Sequence, residues 1–431
     1  MKAFSRYVSS GVAVSGAPRG FARTIAVKAA AEILSKAVTL VVTVAAARLL
    51  PAADFGVLAI AMTTGWILSV ASDAGLPLFL AKRMAGLTGA AKPISFAAIT
   101  SVMRVRMGLG VAAAAAGLMI GSLLVPTPLL AAFGLIVIAQ LLNAIVETLS
   151  HAYRGLGRTN IESGLVVAQR GVTGIVALGA LVWRPSLPSL ALALAIPPAL
   201  ALFASLWIAR GLAPAAATGS AEISLSPGRF MREAAPIGVG ILLSAVYFRC
   251  DVYFLQFWSG LETVGVYNAA FRIVEALRLF PAAVLAVAFP ALCNAGDGRP
   301  LKRLIVLAGV GGTIAAIAVY AVAPILLNTL YGVRFVDAAP ALRILALALP
   351  LFFVNYSLTH QVIAWDGQRA YLAITAIALV ANLVSNTMLI PTGGMVGAAT
   401  ATLMTELTVA AGCAVALRRA VRSPSLAGSV A

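Results

Sequence analysis

Charged side chains interrupt the long apolar stretches of this 431-residue chain. Five basic residues fall inside such stretches: Lys36, Arg249, Arg272, Arg278 and Arg343. A charge at the centre of a membrane costs roughly 2.5–3.5 kcal/mol on insertion scales, so a buried Arg or Lys needs water or an anionic partner beside it. Arg suits phosphate because its planar fork binds two oxygens at once. The sequence therefore predicts a cationic, substrate-binding cavity lined by Lys36, Arg249, Arg272 and Arg278.

Acidic side chains accompany these basic residues at helical spacing. Glu32 precedes Lys36 by four residues, and Glu275 lies three residues from both Arg272 and Arg278, so each carboxylate can reach a cation on its own helix. Closed pairs between packed helices and a water-filled cavity both remain possible interpretations. A membrane carboxylate can also couple transport to an ion. The supporting polar or ion-coupling candidates are Glu32, Glu147, Asp251 and Glu275, with Asp73 and Glu406 as further acids for ion coupling.

The sequence offers no catalytic or metal-binding set. The two histidines, His151 and His360, are far apart, and the three cysteines show no paired metal-ligand spacing. No Gly-Lys loop that could cradle phosphate is present. We therefore expect no catalytic residue, no metal, no cofactor and no enzymatic activity.

The composition indicates the elements that must position these residues. Hydrophobic residues make up 61% of the chain and charged residues 10%, against roughly 45–50% and about 25% in soluble domains. The sequence thus predicts an all-α polytopic membrane protein, with spans of about 20 residues. Twelve are predicted: 25–48, 55–80, 107–125, 129–149, 163–183, 188–209, 234–257, 264–290, 303–327, 340–364, 370–390 and 395–417.

The basic residues between these spans predict the orientation. One side receives 23 Lys and Arg, including Arg104 and Arg106, and the other receives three. Positive residues are enriched on the cytoplasmic side, so both termini are expected in the cytoplasm. The net charge of +17 is then explained without nucleic-acid binding.

The chain also divides into two similar halves. The predicted divisions are a cytoplasmic arm (1–24), an N-lobe of helices 1–6 (25–210), a cytoplasmic linker (211–232), a C-lobe of helices 7–12 (233–417) and a cytoplasmic tail (418–431). The turn at residues 50–61 resembles the turn at 259–270, with Gly56 aligned to Gly265 at an offset of 209 residues. Six spans separate the two copies, which predicts a parallel repeat with a substrate path at its interface.

Several motifs resemble bacterial polysaccharide biosynthesis proteins, lipid-linked oligosaccharide flippases of the multidrug/oligosaccharidyl-lipid/polysaccharide exporter superfamily. The matching segments are 47–58, 73–76, 82–83, 264–273, 289–290, 330–332 and 390–399, together with Asp251, Asn382 and Asn386. The resemblance runs from about residue 25 to 417. Its span-8 motif contains Arg272, whereas Lys36 and Arg249 match the family only by span.

The resemblance implies two six-helix lobes around a central cavity in the bacterial inner membrane. It implies alternating access that carries an undecaprenyl-pyrophosphate-linked oligosaccharide from the cytoplasmic to the periplasmic leaflet. The implied partners are this lipid-linked glycan, membrane lipid and glycosyltransferase or polymerase machinery. The chain lacks the two additional C-terminal spans of the peptidoglycan-precursor flippases, which disfavours that subfamily.

Two other functions remain as alternatives. One is an ion-coupled small-molecule or multidrug exporter of the same superfamily, which would use a titrating membrane carboxylate. The other is a membrane-embedded glycan polymerase or ligase, which the short outside loops disfavour because such enzymes carry catalytic groups on a sizeable loop.

Overall fold

The computed structural model describes residues 36–73, 96–155, 159–212, 227–278, 280–281, 299–365 and 367–422. These residues are almost entirely helical, and no strand occurs among them. The predicted all-α fold is confirmed. Glu32 and the predicted N-terminal arm lie outside the described residues.

Seven helices come from the first part of the chain. They are α1 (36–49), α2 (Ala52–Asp73), α3 (Phe96–Leu124), α4 (Thr127–Gly155), α5 (Thr159–Trp183), α6 (Leu187–Leu212) and α7 (Pro227–Arg249). Proline marks three of the breaks, at Pro51, Pro126 and Pro185. Proline lacks a backbone N–H and cannot continue a regular helix, so each break falls where the sequence predicts one.

The second part contains longer and more broken helices. They are α8 (Asp251–Leu277), α9 (Arg299–Tyr331), a 3₁₀ helix (Val333–Ala338), α10 (Ala339–Leu347), α11 (Leu349–Ala364) and α12 (Gln368–Arg422). Gly260 in α8 and Gly394 in α12 have non-helical backbone angles, so each of these two helices is broken within its length. Gly332, with φ of 101°, ends α9, and its N–H donates to the carbonyls of Leu327 and Asn328.

The described helices are long and apolar enough for a multi-pass membrane protein. Eight of them qualify as membrane spans, or nine if the bent pair Val333–Leu347 and Leu349–Ile363 counts as one. Two of the eight, Gly238–Leu277 and Gln368–Ala420, contain 40 and 53 residues. Each exceeds the length of about 20 residues that one crossing needs. The count of twelve remains a prediction, since parts of the chain lie outside the described residues.

Two compact units divide the chain. The N-terminal unit contains Ala26–Ala245 together with the short segment Gly260–Gly265. In this unit α4 is central and packs against α2, α3, α5 and α6. The C-terminal unit contains Val246–Ser259 and the chain from Val266 onward, and in it α9 packs on α10 and α11 while α12 packs on α10 and α11. The predicted lobe boundaries remain a prediction.

The two copies of the repeated turn touch each other within the N-terminal unit. A Cβ added to Gly56 would lie 1.9 Å from the carbonyl oxygen of Leu261, and one added to Gly265 would lie 2.6 Å from that of Ala52. Ala52 and Leu261 are separated by the same 209 residues as the two glycines. The contact is therefore reciprocal, as the predicted repeat requires, and it needs glycine at both positions.

Candidate functional site

Three arginines of the C-terminal unit, Arg249, Arg272 and Arg278, form what we call the arginine cluster. Arg249 is the last residue of α7, Arg272 lies in α8, and Arg278 caps the C-terminus of α8. Arg249 is 3% exposed, whereas Arg272 and Arg278 are half-buried. The short α7–α8 connection and the helical period of α8 bring these three cations, which are distributed over 30 residues of sequence, into one region.

Each guanidinium of the cluster is oriented by neighbouring groups. Arg249 donates through Nη2 to Asn268 Oδ1 at 2.7 Å, and its guanidinium lies 4.6 Å from the ring centre of Phe271. Asn268 lies one turn before Arg272 on α8. A buried arginine that retains hydrogen bonds and an aromatic neighbour can stay charged in an apolar setting.

Arg278 is held between two aromatic rings. Its guanidinium carbon lies 3.9 Å from the ring centre of Phe248 and 4.5 Å from that of Phe352. Phe248 and Phe352 also contact each other edge to face, at 6.1 Å between ring centres. Cation–π attraction, on the order of 2 kcal/mol where water is excluded, therefore fixes Arg278 between α7 and α11.

Glu275 is the carboxylate associated with this cluster. It accepts a hydrogen bond from Arg272 Nη1 at 2.7 Å, which confirms the i,i+3 pair that the sequence predicts. The charges of Arg249 and Arg278 also act on Glu275. The charges of Asp251 and Glu406 act on Arg249 and Arg278 as well, so three carboxylates surround the three guanidinium groups, and Glu275 is the one that pairs directly with Arg272.

Asp251 belongs to a buried polar network, and its charge also acts on Arg249 of the cluster. It accepts hydrogen bonds from the Tyr267 hydroxyl at 2.6 Å and from the backbone N–H of Val252 at 2.9 Å, and it is 1% exposed. Nearby, Cys250 donates to Asn382 Oδ1, which also accepts from Asn386, while Asn382 donates to the hydroxyl of Thr405. This network ties the start of α8 to α12.

Glu406 of α12 is buried beside an amide. Asn355 of α11 donates through Nδ2 to the backbone oxygen of Glu406 at 2.8 Å and to its carboxylate Oε2 at 2.7 Å. Both residues are 4% exposed. The charge of Arg278 acts on Glu406, so this acid also belongs to the electrostatic surroundings of the arginine cluster.

The candidate residues of the N-terminal unit are more exposed. Lys36 and Glu147 both have exposed side chains, and the predicted partner of Lys36, Glu32, lies outside the described residues. On α4, Asn143 accepts a hydrogen bond from Gln169 of α5 at 2.5 Å. The structure thus brings Arg249, Arg272, Arg278 and Glu275 together within one unit, whereas Lys36 and Glu147 belong to the other unit.

Arg106 is a buried charge that the sequence analysis assigned to a cytoplasmic loop. It lies inside α3, is 0% exposed, and pairs with Asp73 at the end of α2 at 2.5 Å. Its guanidinium also donates to the hydroxyls of Ser72 and Thr148. The signal in the sequence was weak, because Asp73 is 33 residues away from Arg106. Arg104, two positions before Arg106 on the same helix, is exposed.

The described residues contain no group of three or more His, Cys, Asp or Glu side chains that could hold a metal ion. His360 instead makes a local contact, with Nδ1 at 2.7 Å from the carbonyl oxygen of Tyr356.

Comparison with solved structures shows the transporter fold. The lipid II flippase MurJ in an inward closed conformation matches with a TM-score of 0.68 and 13% identity, over 91% of this chain and 87% of that one. A MATE transporter of Vibrio cholerae matches with a TM-score of 0.59 and 14% identity, over 95% and 98% of the two chains. A MOP superfamily transporter from Pyrococcus furiosus matches with a TM-score of 0.62 and 15% identity, over 92% and 95%.

Sequence comparison identifies the family. No curated protein matches the chain. The family model for polysaccharide biosynthesis proteins matches residues 21–295, which is more than half of the chain and includes the Arg249–Glu275 region. The chain belongs to the polysaccharide biosynthesis protein family.

Proposed function

We propose that this protein is a flippase for a lipid-linked oligosaccharide. It moves a glycan attached to undecaprenyl pyrophosphate from the cytoplasmic to the periplasmic leaflet of the inner membrane, by alternating access and with both termini in the cytoplasm. Family membership and the fold shared with MurJ support a transporter of this class. Glycosyltransferases or a polymerase of the same pathway are the proposed protein partners.

The arginine cluster is the observation that carries this proposal. A pyrophosphate headgroup has several charged oxygens, and guanidinium groups bind such oxygens in pairs. Three arginines gathered in one region of a membrane protein are costly to maintain, and together they offer many hydrogen-bond donors to an anion. A polyanionic ligand gives this arrangement a function. The role of Lys36, which belongs to the N-terminal unit, in binding the substrate stays a prediction.

Charge removal tests the proposal in a strain that depends on this protein for surface polysaccharide. We expect Arg249→Ala and Arg272→Ala to reduce polysaccharide export at least tenfold, since each contact with a charged group is worth about 1.5–3 kcal/mol. Surface polysaccharide is measured at matched protein levels in the membrane. The control is Arg343→Ala, because Arg343 lies in α10 beside Tyr320 and outside the cluster. Full export by both cluster variants would contradict the proposal.

Ion-coupled export of a small molecule is the second candidate function. The fold shared with MATE transporters and the buried carboxylate of Glu406 favour it. Efflux of cationic dyes from cells that overproduce the protein distinguishes the two functions. Dye efflux that is lost in Glu406→Gln, with normal polysaccharide export in cells lacking the protein, would favour the exporter.

A further inference from the structure

Glu275 occupies the position in the arginine cluster that an anionic ligand would take. Its carboxylate oxygen Oε2 lies 2.7 Å from Arg272 Nη1, and the charges of Arg272, Arg249 and Arg278 all act on it. Its side chain keeps 38% of its surface exposed, whereas that of Arg272 keeps 16%. The carboxylate can therefore move away from the cluster more easily than the arginine can.

A buried hydroxyl near this pair gives a second, independent observation. Tyr331, the last residue of α9, is 1% exposed, and its hydroxyl has no hydrogen-bond partner among the described residues. The charges of Arg272 and Glu275 act on the same hydroxyl. A buried hydroxyl without a partner costs about 1–3 kcal/mol, so a ligand that accepts a hydrogen bond from Tyr331 would recover that cost.

We infer that Glu275 is a resident competitor for the anion site, and that a diphosphate group binds by displacing it from Arg272 and accepting a hydrogen bond from Tyr331. This inference rests on the proposed function and adds to it a residue that sets specificity. A monoanion such as a carboxylate would only replace Glu275 by an equivalent group. A diphosphate brings more charge and more acceptor oxygens, and it therefore gains contacts that Glu275 cannot make.

The Glu275 carboxylate also helps the diphosphate to leave the site. A site made of three arginines alone would hold a diphosphate tightly, and a transporter must let its substrate leave as well as enter. Glu275 weakens binding because it returns to Arg272 when the ligand departs, so the cation is never left without an anion. Removal of the carboxylate should consequently tighten binding and slow turnover.

Binding of inorganic pyrophosphate to the purified full-length protein tests the inference by calorimetry. We expect Glu275→Gln to bind pyrophosphate about tenfold more tightly than the wild type, which corresponds to about 1.4 kcal/mol. Tyr331→Phe, which removes only the hydroxyl, should bind roughly fivefold more weakly, as expected for one lost hydrogen bond. The matched control is Glu262→Gln, because Glu262 is an exposed carboxylate on the same helix.

The possible outcomes separate this inference from the proposed function. If the wild type binds pyrophosphate and Glu275→Gln binds it no more tightly, Glu275 is not a competitor and the proposed function is unaffected. If neither the wild type nor Glu275→Gln binds pyrophosphate, and the variant melts at the wild-type temperature, the proposed anion site is wrong. Glu275→Asp keeps the charge on a shorter side chain and should bind pyrophosphate with an affinity between those of the wild type and Glu275→Gln. This variant tests the inference even if Glu275→Gln misfolds.

A lipid-borne diphosphate distinguishes the source of the ligand. Undecaprenyl pyrophosphate in mixed micelles should compete with inorganic pyrophosphate, and the Glu275→Gln variant should bind it about tenfold more tightly as well. If the variant gains affinity for pyrophosphate but the lipid does not compete, the role of Glu275 holds and the proposed flippase function fails.

Discussion

At the scale of single residues, Arg106 illustrates how this chain stabilises a charge that has no role in our proposal. Its guanidinium is fully buried and is satisfied by Asp73, Ser72 and Thr148, which come from α2 and α4. Each of these partners lies on a different helix from Arg106. The interactions of Arg106 therefore join α2, α3 and α4 of the N-terminal unit at one point.

Replacement of Arg106 by Ala should destabilise the protein strongly. The change removes hydrogen bonds to Ser72 and Thr148 and leaves Asp73, whose side chain is 35% exposed, without its cation, at a cost of about 1–3 kcal/mol. The loss is measured as a lower free energy of unfolding in a detergent titration. Arg104→Ala, on the same helix but exposed, is expected to change it by less than about 0.5 kcal/mol.

A double variant tests whether the pair is the cause. With Asp73→Leu added to Arg106→Met, no buried charge is left unpaired, so most of the lost stability should return. A double variant that is as unstable as Arg106→Ala would show that Ser72 and Thr148, rather than Asp73, dominate the interaction.

Tyr267 provides a second prediction at this scale. Its hydroxyl donates to the buried carboxylate of Asp251, so Tyr267→Phe should lower the free energy of unfolding by about 1–3 kcal/mol. The matched control is Tyr320→Phe, since Tyr320 is 46% exposed. Equal stability of both variants would mean that Asp251 is satisfied without the hydroxyl.

The contact that the sequence predicted correctly joins two residues related by the period of one helix. Arg272 and Glu275 are three positions apart on α8, and a helix brings such positions together whatever surrounds it. The bond from Arg249 to Asn268 could not be predicted, because it depends on how α7 and α8 pack. The burial of Arg106 could not be predicted for the same reason, since its partner Asp73 lies on another helix.

At the scale of helices, Gly332 determines where α9 ends. Its φ of 101° is in the left-handed region, and its N–H is used to satisfy carbonyls in the last turn of α9. The next residues form the short 3₁₀ helix that leads into α10. The position of Tyr331, on whose hydroxyl the charge of Arg272 acts, depends on this turn.

Substitution of Gly332 should therefore affect stability and the site together. Gly332→Ala forces a residue with a Cβ into the left-handed region, at a cost of roughly 1–2 kcal/mol in the free energy of unfolding. In α9 itself, a Cβ on Gly311 would meet nothing within 4 Å, so Gly311→Ala should instead stabilise by about 0.4–1 kcal/mol. Unfolding titrations of the two variants should shift in opposite directions, and a shared direction would contradict this account.

The sequence predicted several breaks between helices. Proline and charge marked the breaks around α2, α4 and α6, because both are costly inside an apolar helix. Residues 370–390 and 395–417 were predicted as separate spans, and the non-helical residue Gly394 lies between them. Pattern alone could not predict that the chain turns there at a single residue, because a loop and a kink require the same small side chains.

At the scale of the whole molecule, the repeat has a physical counterpart in the contact between residues 52–56 and 261–265. A Cβ at Gly56 or Gly265 would collide with a backbone carbonyl, which cannot move aside as a flexible side chain can. Gly56→Ala and Gly265→Ala should each lower the melting temperature of the protein. Gly171→Ala, where a Cβ would meet nothing within 4 Å, serves as the control.

Combination of the two substitutions tests whether the contact is a single unit. Because each glycine approaches the other copy of the turn, the first substitution should already separate the two backbones. The double variant should then lose less stability than the sum of the two single losses, by about 0.5 kcal/mol or more. Strict additivity, measured by thermal melting in detergent, would show that the two close approaches are independent.

The reciprocity of this contact also restricts how the chain can change by mutation. A side chain gained at position 56 is blocked by the backbone at Leu261, and one gained at position 265 is blocked by the backbone at Ala52. Replacement of either glycine alone therefore requires the backbone segment opposite it to move. Among natural variants of this sequence, we expect positions 56 and 265 to change together or not at all. The lack of a side chain at each position thus constrains the other half of the chain.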